Sequence, residues 1–210
     1  MRKKIMFIVA LLLPLMLVAG VDNRVAQMRT KIKELKNYAI EFSTIDNDGN
    51  VLIDGRLTVG NNEKYHLKTK LGEVWFDGEN VWNYSSENNE VTVDRVENQT
   101  NILANPQKLL ALDCEDENQI ESVAQNDEVV DGVEMWVSKV LLKNEDANFE
   151  ILLSINKKTG LPSVLKVSSE EGDYTFTIKV KKIETNIKVK ESDFKFDSKK
   201  YSDVEIIDFR

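Results

Sequence analysis

The sequence predicts a mainly β protein in which one large curved antiparallel sheet of about ten or eleven strands is covered by a few helices. Apolar and polar residues alternate through most of the chain after residue 39, which is the period of a strand with one buried face. Turn signals rich in Asn, Asp and Gly separate these segments, as hairpins require. Such strands must curl or pack against another layer, because their apolar face has to be removed from water.

The first element after residue 20 is predicted to be an amphipathic helix. Basic residues such as Arg24 and Lys31 occupy its polar faces. Its apolar residues recur at steps of three and four, which places them on one face: Val25, Met28, Ile32 and Leu35. We therefore expect one face of this helix to cover the sheet.

The strand pattern begins with Ile40 and Phe42, which alternate with polar neighbours. Asp77-Gly78 is a strong hairpin signal between two apolar segments. The clearest alternation is that of residues 174–180, where every second residue is apolar. These features predict successive antiparallel hairpins.

A short helix is predicted to interrupt the strands. Asn105 supplies an N-cap residue and Pro106 the first helical position, where proline is favoured. Residues 113–131 are acidic and poorly periodic, and the strands resume at Val133. The apolar side chains of the short helix are Leu109, Leu110 and Leu112.

Composition argues against most enzymes and against nucleic-acid binding. The formal charge of the 210-residue chain is −8, and it becomes −11 without the three basic residues at positions 2–4. So acidic a protein is repelled by nucleic acid and by anionic headgroups. The single Cys114 cannot form an internal disulfide, and the single His66 has no second histidine to build a familiar catalytic or metal site. We therefore predict no catalytic residue, no metal and no cofactor.

Two acidic segments resemble metal sites only superficially. Residues 46–50 (DNDGN) start like a calcium loop, but Gly49 stands in the fourth place and Leu57 in the twelfth, where a glutamate is needed. A plain turn is the better interpretation. Asp113 and residues 115–117 are adjacent carboxylates that point apart, so we interpret them as a solvated surface.

Residues 1–20 have the pattern of a cleaved signal peptide. A basic start is followed by the apolar residues 5–18, a stretch shorter than the roughly 20 residues of a membrane span. An N-terminal membrane anchor is the alternative. Val21 stands where a lipoprotein would carry Cys, so we expect an exported, non-lipidated protein of the bacterial periplasm, with residues 21–210 forming a single domain.

Several segments together resemble the LolA family of periplasmic lipoprotein carriers. Each motif alone is weak, but their order and spacing extend over nearly the whole chain after residue 20. They are residues 55–59 (GRLTV) with 65–67 (YHL), 74–84 (VWFDGENVWNY), 105–110 (NPQKLL), and 194–196 (FKF) with 204–208 (VEIID).

The resemblance implies an incomplete, unclosed antiparallel β-barrel whose open side is covered by short helices. It also implies a non-catalytic, monomeric chaperone that takes acylated lipoproteins from an inner-membrane lipoprotein exporter to a possible outer-membrane acceptor. The chain departs from the family at Asn61 and Asn62, where an arginine that latches the lid and a proline are usual. The lid latch and the final handover are therefore expected to differ.

A carrier of this kind needs an apolar cavity. An acyl chain of about 15 methylenes, at roughly 0.8 kcal/mol each, gains about 12 kcal/mol on leaving water. The alternative is that the same inward residues simply fill a dry core. The predicted cavity residues are Ile40, Phe42, Leu57, Val59, Tyr65, Leu67, Phe76, Val91, Val93, Phe149, Ile151, Leu153, Phe176 and Ile178. The predicted lid, which cargo would displace, consists of Leu109, Leu110 and Leu112.

Charge is unevenly distributed along the chain. Residues 105–131 carry a net charge of −7, whereas residues 181–200 carry +3. This asymmetry serves solubility or docks the acidic segment to a basic membrane-protein receptor. Alternative functions are a carrier of free lipid or glycolipid, an RseB-like sensor on the same half-barrel, and a secreted hydrolase, which the missing catalytic residues disfavour.

Overall fold

The computed structural model describes residues 20–95, 105–114, 116–143, 148–170 and 175–210. The predicted signal peptide therefore lies outside the described residues except for Gly20, and so do Glu115 and Tyr174. Within the described ranges, no helix combines the length and apolar character needed to cross a membrane.

One sheet contains every described strand, in the order β13-β6-β5-β4-β3-β2-β1-β12-β11-β10-β9-β7, with β8 paired to β9. Neighbours along this path are antiparallel except β13 and β6, which are parallel. The strands are β1 (Tyr38–Ile45), β2 (Val51–Val59), β3 (Tyr65–Thr69), β4 (Gly72–Phe76), β5 (Asn80–Ser85), β6 (Glu90–Arg95), β7 (Ile120–Ala124), β8 (Glu128–Val130), β9 (Val133–Leu142), β10 (Phe149–Asn156), β11 (Pro162–Ser169), β12 (Thr175–Thr185) and β13 (Glu205–Asp208). The prediction of an unclosed antiparallel barrel is confirmed: β13 and β7 stand at opposite ends of the path.

Two α-helices pack on the sheet. Helix α1 (Asn23–Glu34) contacts β9, and helix α2 (Pro106–Ala111) contacts β2 and α1. Both lie where the sequence predicts them. Short 3₁₀ turns are present at Asn61–Glu63, Glu117–Gln119, Glu191–Phe194 and Ser198–Lys200.

The prediction for the acidic middle of the chain needs correction. Within residues 113–131 the structure contains β7 and β8, which brings the described sheet to thirteen strands. Both strands are short and lie against β9, and several of their residues are exposed, so their alternation is weak. Short segments of this kind become strands because a long neighbour supplies hydrogen-bond partners.

The two faces of the sheet are covered by different parts of the chain. We call the face that packs on α1 and α2 the inner face; it carries Leu57, Tyr65 and Leu153, all fully buried. The opposite, outer face carries Trp75 and Trp82. Residues 187–201, here named the C-terminal segment, cover part of the outer face through Phe196 and Tyr201.

Candidate functional site

Most predicted cavity residues share the inner face. Ten of the fourteen are buried there within one apolar cluster, and Leu67 and Phe176 are partly buried against the same cluster. The strand register explains this, since Leu57 lies opposite both Ile40 and Leu67 across neighbouring strands. The buried ten are Ile40, Phe42, Leu57, Val59, Tyr65, Phe76, Phe149, Ile151, Leu153 and Ile178.

Val91 and Val93 do not line the inner face, and the prediction for these two residues is wrong. Val93 lies opposite Trp82, and Val91 opposite Tyr84, in the antiparallel β5–β6 pair, so they share the outer face with these aromatic residues. Both valines are fully buried. Because both faces are covered here, alternation alone does not reveal which one is inner.

Helical side chains fill the space over the inner face. Met28 and Ile32 of α1 are buried in the same cluster as the strand residues. The predicted lid residues Leu109, Leu110 and Leu112 of the α2 segment are buried there too. The two helices therefore close the inner face, and their apolar side chains fill the space above it.

Local sequence fixes both ends of α2. The Asn105 side-chain oxygen accepts hydrogen bonds from the backbone N–H groups of Gln107 and Lys108, at 3.1 Å each. The helix ends at Leu112, whose φ of 49° and ψ of 44° are left-handed, and the N–H of Asp113 donates to the Lys108 carbonyl at 2.9 Å. A left-handed leucine costs roughly 1–2 kcal/mol, which its complete burial offsets.

The beginning of α1 is held by a polar network. Asp22 caps the helix by accepting from the Arg24 N–H at 3.1 Å, and its other oxygen accepts from the Ser138 hydroxyl at 2.6 Å. Its own N–H donates to the Ser122 hydroxyl at 2.6 Å. Burial acts to raise the pKa of Asp22, but the hydrogen bonds from Ser138 and Arg24 hold it below its usual value. This end of α1 is thus fixed to β7 and β9.

The end of α1 carries a much weaker polar attachment. Lys33 Nζ lies 2.8 Å from Asp113 Oδ1, just after α2, and the two side chains are 52% and 27% exposed. An exposed ion pair of this kind stabilises by about 0–1 kcal/mol. The Lys33–Asp113 pair therefore joins the two helical segments without locking them.

A cavity of about 440 Å³, which we call the mouth, opens beside this ion pair. That volume is within the roughly 300–1,000 Å³ range of small-molecule sites. Its apolar lining consists of Ile32, Leu35, Tyr38, Val59, Gly60 and Ala111, and its polar lining of Lys33, Lys36, Asn61, Asn62, Glu63, Gln107 and Asp113. The mouth is therefore amphipathic, with polar groups beside Ile32, Tyr38, Val59 and Ala111 of the buried cluster.

Two mouth residues are shaped by their surroundings. Burial raises the pKa of Tyr38 well above its usual value, and the nearby carboxylates Glu63 and Asp113 act in the same direction. Asn62 adopts a left-handed conformation with φ of 57°, which asparagine tolerates better than most residues.

The sequence draws attention to only two residues of the mouth, Asn61 and Asn62, because they differ from the residues that are usual in the family pattern. Nothing in the sequence indicates the mouth, because its lining comes from separate segments of the chain.

The other candidate segments behave as ordinary structure. Asp46 accepts hydrogen bonds from the N–H groups of Asp48 and Asn50, at 2.9 and 2.8 Å, and closes the β1–β2 turn. Cys114 packs against the apolar cluster. His66 lies on the outer face, opposite to Tyr65. In the described part of the chain, no group of three or more His, Cys, Asp or Glu side chains is arranged to hold a metal ion.

Comparison with known proteins gives one family and several related folds. Residues 60–197 match the model of the family described as "Outer membrane lipoprotein carrier protein LolA". No curated protein sequence matches the chain.

Three solved structures illustrate the likeness of fold. An uncharacterized conserved protein from Thermus thermophilus superposes with a TM-score of 0.58 at 10% identity, covering 88% of this chain and 96% of that one. MucB gives a TM-score of 0.49 at 16% identity, with 84% and 61% covered. A LolA superfamily protein from Nitrosomonas europaea gives 0.41 at 8% identity, with 82% and 96% covered.

Proposed function

Since this chain belongs to the LolA family of outer-membrane lipoprotein carrier proteins, we propose that it is a periplasmic carrier that shelters the acyl chains of lipoproteins on its inner face. One observation carries the proposal: two helices cover the apolar inner face, and the exposed Lys33–Asp113 ion pair joins the last turn of α1 to the residues just after α2. Such a cover can be displaced by an apolar ligand at modest cost.

The energies favour reversible binding. Exposing Leu109, Leu110 and Leu112 costs roughly 2 kcal/mol each, about 6 kcal/mol together. One acyl chain gains about 12 kcal/mol on leaving water. Displacing the lid thus offsets about half of the gain, so that cargo is held but can be passed on.

The attachment of α1 suggests where cargo enters. Its first turn is tied to β7 and β9 through Asp22, whereas its last turn carries the exposed Lys33–Asp113 pair at the edge of the mouth. Opening is therefore expected at the mouth, with the start of α1 acting as the fixed end. The family's arginine latch is replaced in this proposal by the Lys33–Asp113 pair.

The proposed partners are acylated lipoproteins, the inner-membrane exporter that supplies them and an outer-membrane acceptor. The net charge of −7 in residues 105–131 supports docking to a basic receptor, because opposite charges accelerate encounter. Part of this segment, including α2 and Asp113, borders the mouth. Docking there would place a receptor beside the entry to the inner face.

The cargo can be identified directly. Native mass spectrometry of the protein purified from its own periplasm is expected to show bound lipoproteins. Small lipids or glycolipids in their place would support the alternative carrier function, and an absence of any apolar ligand after mild extraction would contradict both.

The lid is tested by the double substitution Leu109→Asp and Leu110→Asp. Two carboxylates cannot remain buried on the inner face, so α2 is expected to leave it and a fluorescent acyl probe to enter at least about tenfold faster. The matched control is Val123→Asp with Val129→Asp, which changes the same charge at positions that are 55% and 67% exposed. Unchanged entry and release rates in the lid variant would remove the lid role, provided that circular dichroism shows an intact sheet.

A further inference from the structure

We propose that a cleft on the outer face is a second binding site, which takes a phosphate group. The cleft has a volume of about 440 Å³ and lies between strands β2–β4 and the C-terminal segment. It is separated from the inner face by the sheet itself. The proposal therefore does not depend on acyl-chain binding.

The floor of the cleft is rigid. Trp75 is buried, and the His66 ring stacks on it with centroids 5.0 Å apart and planes 13° from parallel. Phe196 and Tyr201 of the C-terminal segment meet the same indole edge-on, at 5.6 and 5.9 Å. The C-terminal segment is thus anchored by aromatic contacts, which hold its backbone above the strands.

The carboxylates that border the cleft already have partners. Glu73 lies 2.7 Å from His66 Nε2 and 3.2 Å from Lys68 Nζ. Asp193 accepts from the Lys190 N–H at 2.8 Å, and Asp197 from the Lys199 N–H at 3.2 Å. These three carboxylates have structural hydrogen bonds, and Glu73 is also neutralised by an adjacent lysine.

Three lysines that border the cleft have no such partner. Lys188, Lys195 and Lys200 line it, and among the residues that the structure describes none of them lies within 4.0 Å of a carboxylate. Arg56 and Lys68 are each paired with carboxylates, so the groups left are these three lysines beside Asp193 and Asp197. The cleft therefore gathers three ammonium groups without carboxylate partners, on a chain whose overall charge is −8.

The chemistry of these groups favours phosphate. Several ammonium groups around one concave site can each donate to a different oxygen, and a phosphate offers three strong acceptor oxygens with a charge of about −1.5 to −2 at pH 7. Arg56 is already engaged by Glu41 and Glu184, at 2.6 and 2.5 Å. The three lysines are thus the binding groups, and the phosphate can belong to a soluble molecule or to a lipid headgroup.

The test compares two triple variants of residues 21–210 by ¹⁵N-resolved NMR titration with inorganic phosphate. Wild type is expected to show saturable shifts at His66, Lys195 and their neighbours. Replacing Lys188, Lys195 and Lys200 by Ser is expected to weaken binding at least about tenfold. Replacing Lys158, Lys166 and Lys179, which are exposed elsewhere, by Ser removes the same charge and is expected to change binding less than about twofold.

Vesicle sedimentation identifies the source of the phosphate. Binding to phosphatidylglycerol vesicles but not to phosphatidylcholine vesicles, lost only in the cleft variant, would assign a lipid headgroup. Phosphate binding without vesicle binding would assign a soluble phosphate compound. Shifts that are scattered over the surface, equal losses in both triple variants, or no binding in either experiment would overturn the proposal. Thermal melts of all three proteins establish that the fold is unchanged.

Discussion

At the scale of single residues, His66 and Glu73 form a polar pair that is mostly removed from water. Burial lowers the pKa of His66 below its usual value, and the hydrogen bond with Glu73 opposes this shift without cancelling it. Burial also acts to raise the pKa of Glu73, but His66 and Lys68 hold it below its usual value. The folded state therefore favours a neutral imidazole beside an ionised carboxylate.

A pH dependence of stability follows from His66. Because its pKa is depressed on folding, the unfolded chain takes up the proton first, and stability is lost as pH falls below the unfolded value of about 6.5. Thermal unfolding of wild type is expected to occur at lower temperature at pH 5.5 than at pH 7.5. His66→Gln keeps a hydrogen-bonding group but does not titrate, so its melting temperature should change less.

A difference in melting temperature between the two proteins can be assigned to His66, because it is the only histidine of the chain. Glu73 stays ionised in this pH range, since its pKa is lowered. Equal changes in melting temperature for wild type and His66→Gln would show that His66 is not the group responsible.

At the scale of elements, the two helices differ in what holds them. Helix α1 begins in a network that includes Asp22, Ser122 and Ser138, and α2 is fixed by its own cap and by buried leucines. The Lys33–Asp113 ion pair joins the helical segments beside the mouth. Salt weakens this contact readily, because both side chains are reached by solvent.

Breaking this pair is expected to favour the open state. Lys33→Met should tighten the apparent affinity for an acyl probe by up to about fivefold, since an exposed pair contributes at most about 1 kcal/mol to closure. Wild type in high salt should approach the variant. Lys31→Met, on the same helix, is the matched control and should bind the probe like wild type.

The reciprocal substitutions Lys33→Asp and Asp113→Lys, made together, should restore the wild-type affinity. Affinities that are the same in all four proteins and at all salt concentrations would show that the pair does not hold the lid.

At the scale of the whole molecule, the central feature is a packed apolar interior. Residues from β1, β2, β10 and both helices share one buried cluster. A packed interior and a rigid open cavity respond differently when a lining side chain is truncated. In a packed interior the truncation creates a void and lowers the free energy of unfolding.

Two neighbouring leucines of β10 make this test. Leu153 is fully buried on the inner face, whereas Leu152 points to the outer face and is 39% exposed. Leu153→Ala is expected to lower the free energy of unfolding by about 2–5 kcal/mol, and Leu152→Ala by less than about 1 kcal/mol. Denaturant titration measures both. Similar small losses would mean that Leu153 borders empty space, so that the closed, packed state described above does not hold.

The sequence predicts the structure of some regions and not of others. The period of α1, the cap at Asn105 and the Asp77-Gly78 turn are local signals, and the structure confirms the elements that they predict. Sequence reasoning misses β7 and β8 because their hydrogen bonds are supplied by β9, which no local pattern encodes. It assigns Val91 and Val93 to the wrong face because both faces of β6 are covered.

The sequence alone determined the class of fold, the short helix α2 and most of the apolar inner face, because periodicity and capping are properties of neighbouring residues. Tertiary structure decided which face each strand buries, where the mouth lies and how α1 meets α2. It also brought the lysines of the C-terminal segment over the outer face of β2–β4. These features join residues that are far apart in the chain, and only the packing of one sheet between two different covers places them together.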